Sequence, residues 1–395
     1  MIENKRESIK LMRVTTVPQS LEFLLQNQML FFKSKGLDVS MASANGSSVE
    51  KLVVSQGCPH FEIPFTRKIT PINDLVALYK VIKLFRKIKP DIVHSHTPKA
   101  GLLSMIGAYL AGVKIRMHTV AGLPLMESKG AKKSLLTLME RLTYSFSTNV
   151  YPNSYSLLDY IDKNIYSNKE KMKVIGYGSS NGIDLQRFNS ENLDSEKLEH
   201  IKDKINYDPE CFYFISIGRV VKDKGIEEIV TAFREIHSEF PQSRLILLGP
   251  YENHLDPLSE SSEKEIERNP DIFSVGFSYD VEYYLELSNI LVHASYREGF
   301  PNVLLQAGAM KTAIVCSKII GNIDVVDNEK TGLHFEVKNA HDLELKMRKA
   351  ISDYSLLNEY AENLYQRISE KFERGGIHQN LYENYLDIYN KSICK

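Results

Sequence analysis

The sequence predicts an α/β protein built from two doubly wound, parallel-sheet domains in tandem. Three observations carry that expectation. Strand-like runs alternate with helical patterns through both halves, the rhythm of parallel strands covered on both faces. The 395 residues suit two domains. Midway, the stretch GYGSSNGIDLQRFNS (176–190) gathers glycines and serines without hydrophobic periodicity. The expected boundaries are therefore 1–175 and 176–375, with a helical tail, 376–395, long enough to return to the first domain.

In the first half, strand-like IKLMRVTTV (9–17) precedes a helical stretch from Leu21 to Lys35, and LDVSMAS precedes a helix around 48–56. The periodic run NDLVALYKVIKLFRKIKP (73–90) reads as a long helix ending at a proline. Strand DIVHSH (91–96), a helix over 100–111, strand VKIRMHT (113–119) and a helix over 131–146 follow. The second half repeats the scheme. CFYFISIG (211–218) leads to a helix over 225–240, and the further strands are SRLILLG (243–249), DIFSVG (271–276), ILVHAS (290–295) and TAIVCS (312–317).

Composition narrows the class. Apolar residues make up 43% and charged residues 25%, enough to fill a core in each half. The four cysteines, Cys58, Cys211, Cys316 and Cys394, show no metal-ligand spacing and read as reduced thiols of a cytoplasmic protein. The amino terminus runs from charged residues directly into a strand, so no leader is expected. The uncharged stretch 100–113 is shorter than the ~20 apolar residues that span a bilayer. The net charge of −1 hides an asymmetry: residues 1–175 carry a balance of +12 and the remainder −13. A basic first half favours an anionic partner: a phosphate-bearing acceptor, a membrane surface or nucleic acid. Within it, the 73–90 helix sets Lys80, Lys83, Arg86 and Lys87 among apolar residues, as a membrane-facing or an ordinary surface helix would.

Several motifs could carry chemistry. GYGSSNG has dinucleotide-loop character, but its G-x-G-x-x-x-G spacing is one residue too long and no helix opens behind it, so a hinge is favoured. No phosphate-loop GKS or GKT occurs. In GRVVKDKG (218–225), Arg219 and Lys224 flank a short loop between a strand end and a helix start. Ligands bind there in doubly wound sheets, and free N–H groups attract anions. SYREGFPNVLLQAGAM (295–310) has the same placement, with Glu298 ahead of a helix begun by Pro301 or Asn302. A carboxylate beside a diphosphate suits hydroxyl binding; a helix-start acid is the plainer alternative. His94 and His96 share a strand face without a third ligand at suitable spacing, and no D-x-D occurs, so no metal is expected. His118, beside the small-residue turn Ala121-Gly122, could face the same crevice or be a core histidine.

Together, GRVVKDKG, SYREGFPNVLLQAGAM and the segment 91–124 resemble the retaining glycosyltransferases of family 4. These have the GT-B fold, in which two Rossmann-like domains face each other across a cleft. The resemblance covers nearly the whole chain and is strongest to bacterial enzymes of capsule, surface-polysaccharide and lipid-carrier glycan synthesis. It implies a retaining, metal-independent hexosyltransferase without a cofactor, moving a sugar from a nucleotide-sugar donor, with UDP-sugars expected, to a saccharide acceptor on a lipid diphosphate. The first domain would bind the acceptor at the inner membrane surface, with no role for nucleic acid, and the second would bind the donor. Arg219 and Lys224, beside Gly218, would hold the donor diphosphate. Glu298 would bind sugar hydroxyls in a pocket shaped by Gly299, Phe300, Pro301 and Asn302, and His118 would touch the sugar from the first domain.

Two positions depart from the family pattern. A glycine pair usually follows the first strand, whereas Pro18, Gln19 and Ser20 stand here, Ser20 being a candidate helix cap. The second glutamate of E-x7-E is Gln306. Replacing its charged hydrogen bond to the ribose by a neutral one costs about 1 kcal/mol, roughly fivefold in nucleotide affinity. A nucleotide-sugar epimerase of related architecture, or a non-catalytic nucleotide-sugar-binding protein, are the alternative readings.

Overall fold

The structure, a computed structural model, describes residues 8–252 and 256–393. The amino-terminal residues 1–7, on which the leaderless reading partly rests, and Cys394 lie outside the described residues. The chain divides into two compact units, Met1–Asn181 with Gly375–Lys395, and Gly182–Arg374.

The first unit runs β1 (Lys10–Val14), α1 (Pro18–Leu24), α2 (Gln28–Ser34), β2 (Asp38–Ser43), α3 (Val49–Gln56), β3 (His60–Glu62), α4 (Pro71–Ile88), β4 (Ile92–Ser95), α5 (Pro98–Leu110), β5 (Ile115–Val120), α6 (Gly130–Phe146), β6 (Asn149–Pro152) and α7 (Tyr155–Asn164). Its strands form a parallel sheet in the order β3-β2-β1-β4-β5-β6. The order reverses between β1 and β4, so the strand ends there open a crevice. Thr16 and Thr97 close it by a 2.7 Å hydroxyl contact.

The expected single helix over 21–35 is two helices. Asn27 adopts the left-handed conformation (φ 64°), which asparagine tolerates better than most residues, and breaks the run. The break starts α2 at Gln28, a fully buried side chain that accepts from Arg13 Nη2 (2.5 Å) and donates to Ser180 O (2.6 Å) and Asn181 Oδ1 (3.0 Å). Ser20 is not a cap. Pro18, which has no N–H to satisfy, is the first residue of α1, and Ser20 donates its own N–H to Val17 O.

The second unit runs α8 (Ser195–Lys204), β7 (Phe212–Ile217), α9 (Ile226–Glu239), β8 (Ser243–Leu248), α10 (Glu260–Arg268), β9 (Ile272–Gly276), α11 (Val281–Glu286), β10 (Ile290–His293), α12 (Asn302–Ala309), β11 (Ala313–Ser317), α13 (Asn322–Val325), β12 (Leu333–Phe335), α14 (Ala340–Ser352) and α15 (Tyr354–Lys371). Its sheet is parallel in the order β12-β11-β10-β7-β8-β9, reversing between β7 and β10. The strands are near-continuous apolar runs because helices cover both faces. Phe214, Ile229, Phe233, Leu245, Val292 and Val315 belong to one buried cluster.

A last helix, α16 (Arg374–Ile393), packs Leu381 and Tyr385 into the first unit's core beside Leu11, Met29 and Phe32. There Arg13 Nη1 donates to the Tyr385 hydroxyl, which also meets His94 Nδ1 at 2.6 Å. Arg13 is fully buried, and burial lowers its pKa despite these contacts. Among the described residues no helix is long and apolar enough to cross a membrane.

Candidate active site

The second unit brings three of the expected residues to one place. β7 and β10 are neighbours at the reversal of strand order, and the loops after them carry Arg219 and Lys224 on one side and Glu298 on the other. After β7, Gly218 turns the chain at a positive φ of 145°. A single 3₁₀ turn, Lys222–Lys224, then leads to Gly225 and α9. Gly225 is required twice: its φ is 69°, and a Cβ there would lie 2.2 Å from Ala294 O. The two loops touch at this point, just beyond β10.

Lys224 Nζ donates to Glu298 Oε1 at 2.5 Å and approaches Ser295 Oγ at 3.4 Å. His293 Nε2 lies 3.4 Å from the same Oε1. One carboxylate oxygen is therefore bonded by Lys224 and approached by His293, whose Nε2 makes no hydrogen bond among the described residues, while Oε2 has no hydrogen-bond partner among them. The Glu298 side chain is 18% exposed. Burial alone would raise its pKa, but Lys224 and His293 outweigh it and hold the carboxyl well below its ordinary range. Glu298 is thus an anion at any working pH, an acceptor of hydrogen bonds rather than an acid.

Arg219, expected to meet a diphosphate, is paired with acids. Its Nη1 donates to Glu252 Oε2 (2.9 Å) and its Nη2 reaches Asp223 Oδ1 (3.3 Å), which Arg297 Nη2 also approaches through Oδ2 (3.1 Å). Burial would lower the Arg219 pKa, yet these acids raise it. Both expected clamp cations are therefore paired with carboxylates, because a strand-end crevice this rich in cations is not stable unpaired.

The remaining donor-pocket candidates follow on. Gly299 is packed by Gly321, where a Cβ would fall 2.7 Å from Gly299 O. Phe300 is buried with its ring centroid 5.2 Å from that of Phe372, and Pro301 is buried as the residue before α12. Asn302 and Gln306 stand one turn apart on α12, both half-buried, and neither side chain has a hydrogen-bond partner among the described residues. His118 belongs to the other unit, on β5. It is buried, bonds Ser95 Oγ through Nδ1 (2.8 Å), and burial pushes its pKa down to about 3. Its ring fits because residue 101 is glycine: a Cβ there would meet His118 Cε1 at 2.4 Å. His94 bonds Tyr385 and Thr119, and the His96 ring lies 4.2 Å from it, tilted by 33°, with no partner on either ring nitrogen among the described residues. Among the described residues no group of three or more His, Cys, Asp or Glu side chains could hold a metal ion.

Sequence reasoning missed His293, Arg297, Asp223 and Glu252. Only His293 left a signal, as a polar residue at the end of an otherwise apolar strand.

Comparison with known proteins gives this geometry its class. The model described as "Glycosyl transferases group 1" matches residues 198–367, and "Glycosyl transferase 4-like" matches residues 13–154. The chain is 33% identical over 381 residues to the capsular polysaccharide biosynthesis glycosyltransferase CapM of Staphylococcus aureus, covering 96% of this chain and 97% of that one. It is 27% identical over 310 residues, 78% of each chain, to the UDP-Gal:alpha-D-GlcNAc-diphosphoundecaprenol alpha-1,3-galactosyltransferase of Escherichia coli. Among solved structures, HepE of Anabaena, in complex with UDP and glucose, superposes with a TM-score of 0.80 at 16% identity, covering 96% of this chain and all of that one. The fold is GT-B, and the chain belongs to the group 1, 4-like family of glycosyltransferases. The epimerase reading has less support, since both family models and both relatives are glycosyltransferases.

Proposed function

We propose that this glycosyltransferase moves a sugar from a UDP-sugar to a saccharide carried on a lipid diphosphate at the inner membrane surface, in surface-polysaccharide synthesis. The observation that carries the reading is the Lys224–Glu298 pair at the strand-order reversal of the second unit, with Glu298 Oε2 left to accept from a sugar hydroxyl. The donor and acceptor classes draw support from the E. coli relative, whose name specifies UDP-Gal and a diphosphoundecaprenol-linked sugar.

In this reading Lys224 and Arg219 turn towards the donor diphosphate, sharing their charge with Glu298 and Glu252. Negative charge grows on the leaving UDP as the glycosidic bond breaks, so fixed cations there act chiefly on the transition state. The Gly218 turn lets the backbone approach the diphosphate, because a Cβ at 218 would meet nothing within 4 Å. Glu298, with Gly299, Phe300, Pro301 and Asn302, orients the sugar, and Gln306 meets the ribose. His118, in the first unit, is neutral because it is buried, so its ring can donate or accept a hydrogen bond. As in the family resembled, the acceptor hydroxyl attacks on the face the UDP leaves, so the anomeric configuration is retained without a bound metal.

The test incubates the protein with UDP-sugars and a lipid-diphosphate-linked saccharide, with and without chelator. Acceptor-dependent UDP release, a new glycolipid with the donor's anomeric configuration by NMR, and indifference to chelation are the expected results. A converted sugar nucleotide without UDP release would instead identify an epimerase, and binding with neither product a non-catalytic protein.

A further inference from the structure

Residues 178–180 of the GYGSSNG stretch line a cavity in the first unit, at the strand ends of β4, β5 and β6. His96, Thr119, Tyr151 and Ser180 form its polar side, and Ile175, Ile377 and Leu381 its apolar side. His96 directly follows β4, beside the reversal of strand order, where doubly wound sheets bind ligands. The polar groups are unequally served. His94 Nε2 meets Thr119 Oγ1 at 2.8 Å, and the Tyr151 hydroxyl accepts from Asn384 Nδ2 at 2.8 Å. His96 is 4% exposed, and neither of its ring nitrogens has a partner among the described residues. The enclosed Ser180 hydroxyl has none among them either. Ser180 is presented through Gly178 (φ 103°) and Ser179 (φ 66°), a left-handed conformation that costs a serine more than a glycine. Burial, with Arg13, His94 and His118 adding to it, holds the His96 pKa well below its ordinary value. The ring is therefore neutral, with one nitrogen a donor and the other an acceptor. Among the described residues, no charged side chain lines the cavity. Stranded buried polar groups cost stability, so two of them facing one cavity point to a ligand.

We propose that this cavity takes the acetamido group of the saccharide acceptor. The amide N–H donates to one His96 nitrogen, the carbonyl oxygen accepts from the Ser180 hydroxyl, and the methyl lies against Ile175, Ile377 and Leu381. The cavity holds about 30 Å³. One water-sized group needs about 10–15 Å³, so two or three non-hydrogen atoms fit, as an acetyl supplies. A hydroxyl would meet the polar groups but leave the apolar side unfilled. A carboxylate would enter a cavity whose lining has no cation to pair it. The site deepens the saccharide-acceptor reading above and rests on it for its purpose, not for its binding test.

The test is calorimetry of the full chain, without donor, against two acceptors that differ at one carbon. These are N-acetylglucosamine and glucose, each joined through a diphosphate to the same short alkyl chain. The acetamido compound should bind about tenfold more tightly, the scale of two neutral hydrogen bonds. His96→Leu and Ser180→Ala should each bring the two affinities to within about threefold. His96→Gln, which keeps a donor and an acceptor, should retain most of the preference. The His96 ring has no hydrogen-bond partner to lose among the described residues, so His96→Leu should melt no lower than the parent. Equal parental affinity for the two compounds, or no measurable binding of the acetamido one, would overturn the proposal. So would a preference that survives both His96→Leu and Ser180→Ala, or a melting temperature of His96→Leu several degrees below the parent's. If the parent prefers the acetamido compound yet transfers nothing to it from a UDP-sugar, the transferase reading fails and the site stands. Transfer to both compounds with equal affinity would sink the site and leave the transferase reading intact.

Discussion

At the scale of single residues, the site depends on which carboxylate oxygen is occupied. Glu298 Oε1 is bonded by Lys224, with His293 Nε2 3.4 Å away, which fixes the direction of Oε2. Glu298→Ala removes the proposed hydroxyl acceptor and Lys224→Ala a proposed diphosphate cation, and each should lower turnover at least about a hundredfold, the scale of lost transition-state contacts. Near-parental rates in steady-state assays would refute the assignment. In the proposed site His293 would act through Glu298, 3.4 Å from its Nε2. His293→Gln, which can still donate, should keep most activity, whereas His293→Leu should lower kcat with little change in the UDP dissociation constant. A purely structural role would affect the two variants alike. Gln306 has no side-chain partner to lose among the described residues, so Gln306→Glu should fold normally and bind UDP about fivefold more tightly if the ribose meets this side chain. Unchanged or weaker binding by calorimetry would remove Gln306 from the nucleotide pocket. Glu298, Arg219 and Lys224 could be read from the sequence because strand ends and loops announce where side chains gather. The ion pairs of Glu252, Asp223 and His293 could not, because no local pattern says which charges folding will bring together.

At the scale of elements, long periodic segments were legible and short edge pieces were not. β3 and β12, each at one edge of its sheet, have three residues, too few for alternation to show. The Asn27 break was hidden because the hydrophobic pattern continues across it; only the positive φ reveals it. α6 has a further peculiarity in Glu140, a fully enclosed acid that burial pushes up to about 7, with the Tyr144 hydroxyl opposing the shift. An acid whose folded pKa lies above its unfolded value binds more protons folded than unfolded. Its contribution therefore becomes unfavourable as pH rises from about 4.5 to about 7, by on the order of 3 kcal/mol. Glu140→Gln should leave stability nearly unchanged at pH 4 and raise it at pH 8, as denaturant midpoints would report. A gain of the same size at both pH values would mean that the carboxyl does not titrate in this window.

At the scale of the whole molecule, the tandem α/β plan was legible because each unit repeats one rhythm, whereas the seating of the tail was not. α16 is only weakly patterned, and what anchors it is polar: the Tyr385 hydroxyl serves Arg13 and His94, two buried groups supplied by β1 and β4. Arg13 Nε has no partner among the described residues, so the buried guanidinium depends on its Nη1 and Nη2 bonds. Tyr385→Phe keeps the ring and its packing against Phe32, 5.3 Å away, but leaves Arg13 Nη1 and His94 Nδ1 without that oxygen. The loss should be about 1–3 kcal/mol, the cost of stranding a buried polar group. For a domain of this size that lowers the melting temperature by several degrees, about 2–4 °C per kcal/mol. The residues proposed to bind UDP all lie in the second unit, Gly182–Arg374, so the same substitution should leave the UDP dissociation constant unchanged. Calorimetry of the parent and Tyr385→Phe chains, each with and without UDP, separates the two effects. Saturating UDP should raise the melting temperature of both by the same increment. A weakened UDP affinity in the variant would mean that the tail's anchor in the first unit also shapes the nucleotide site.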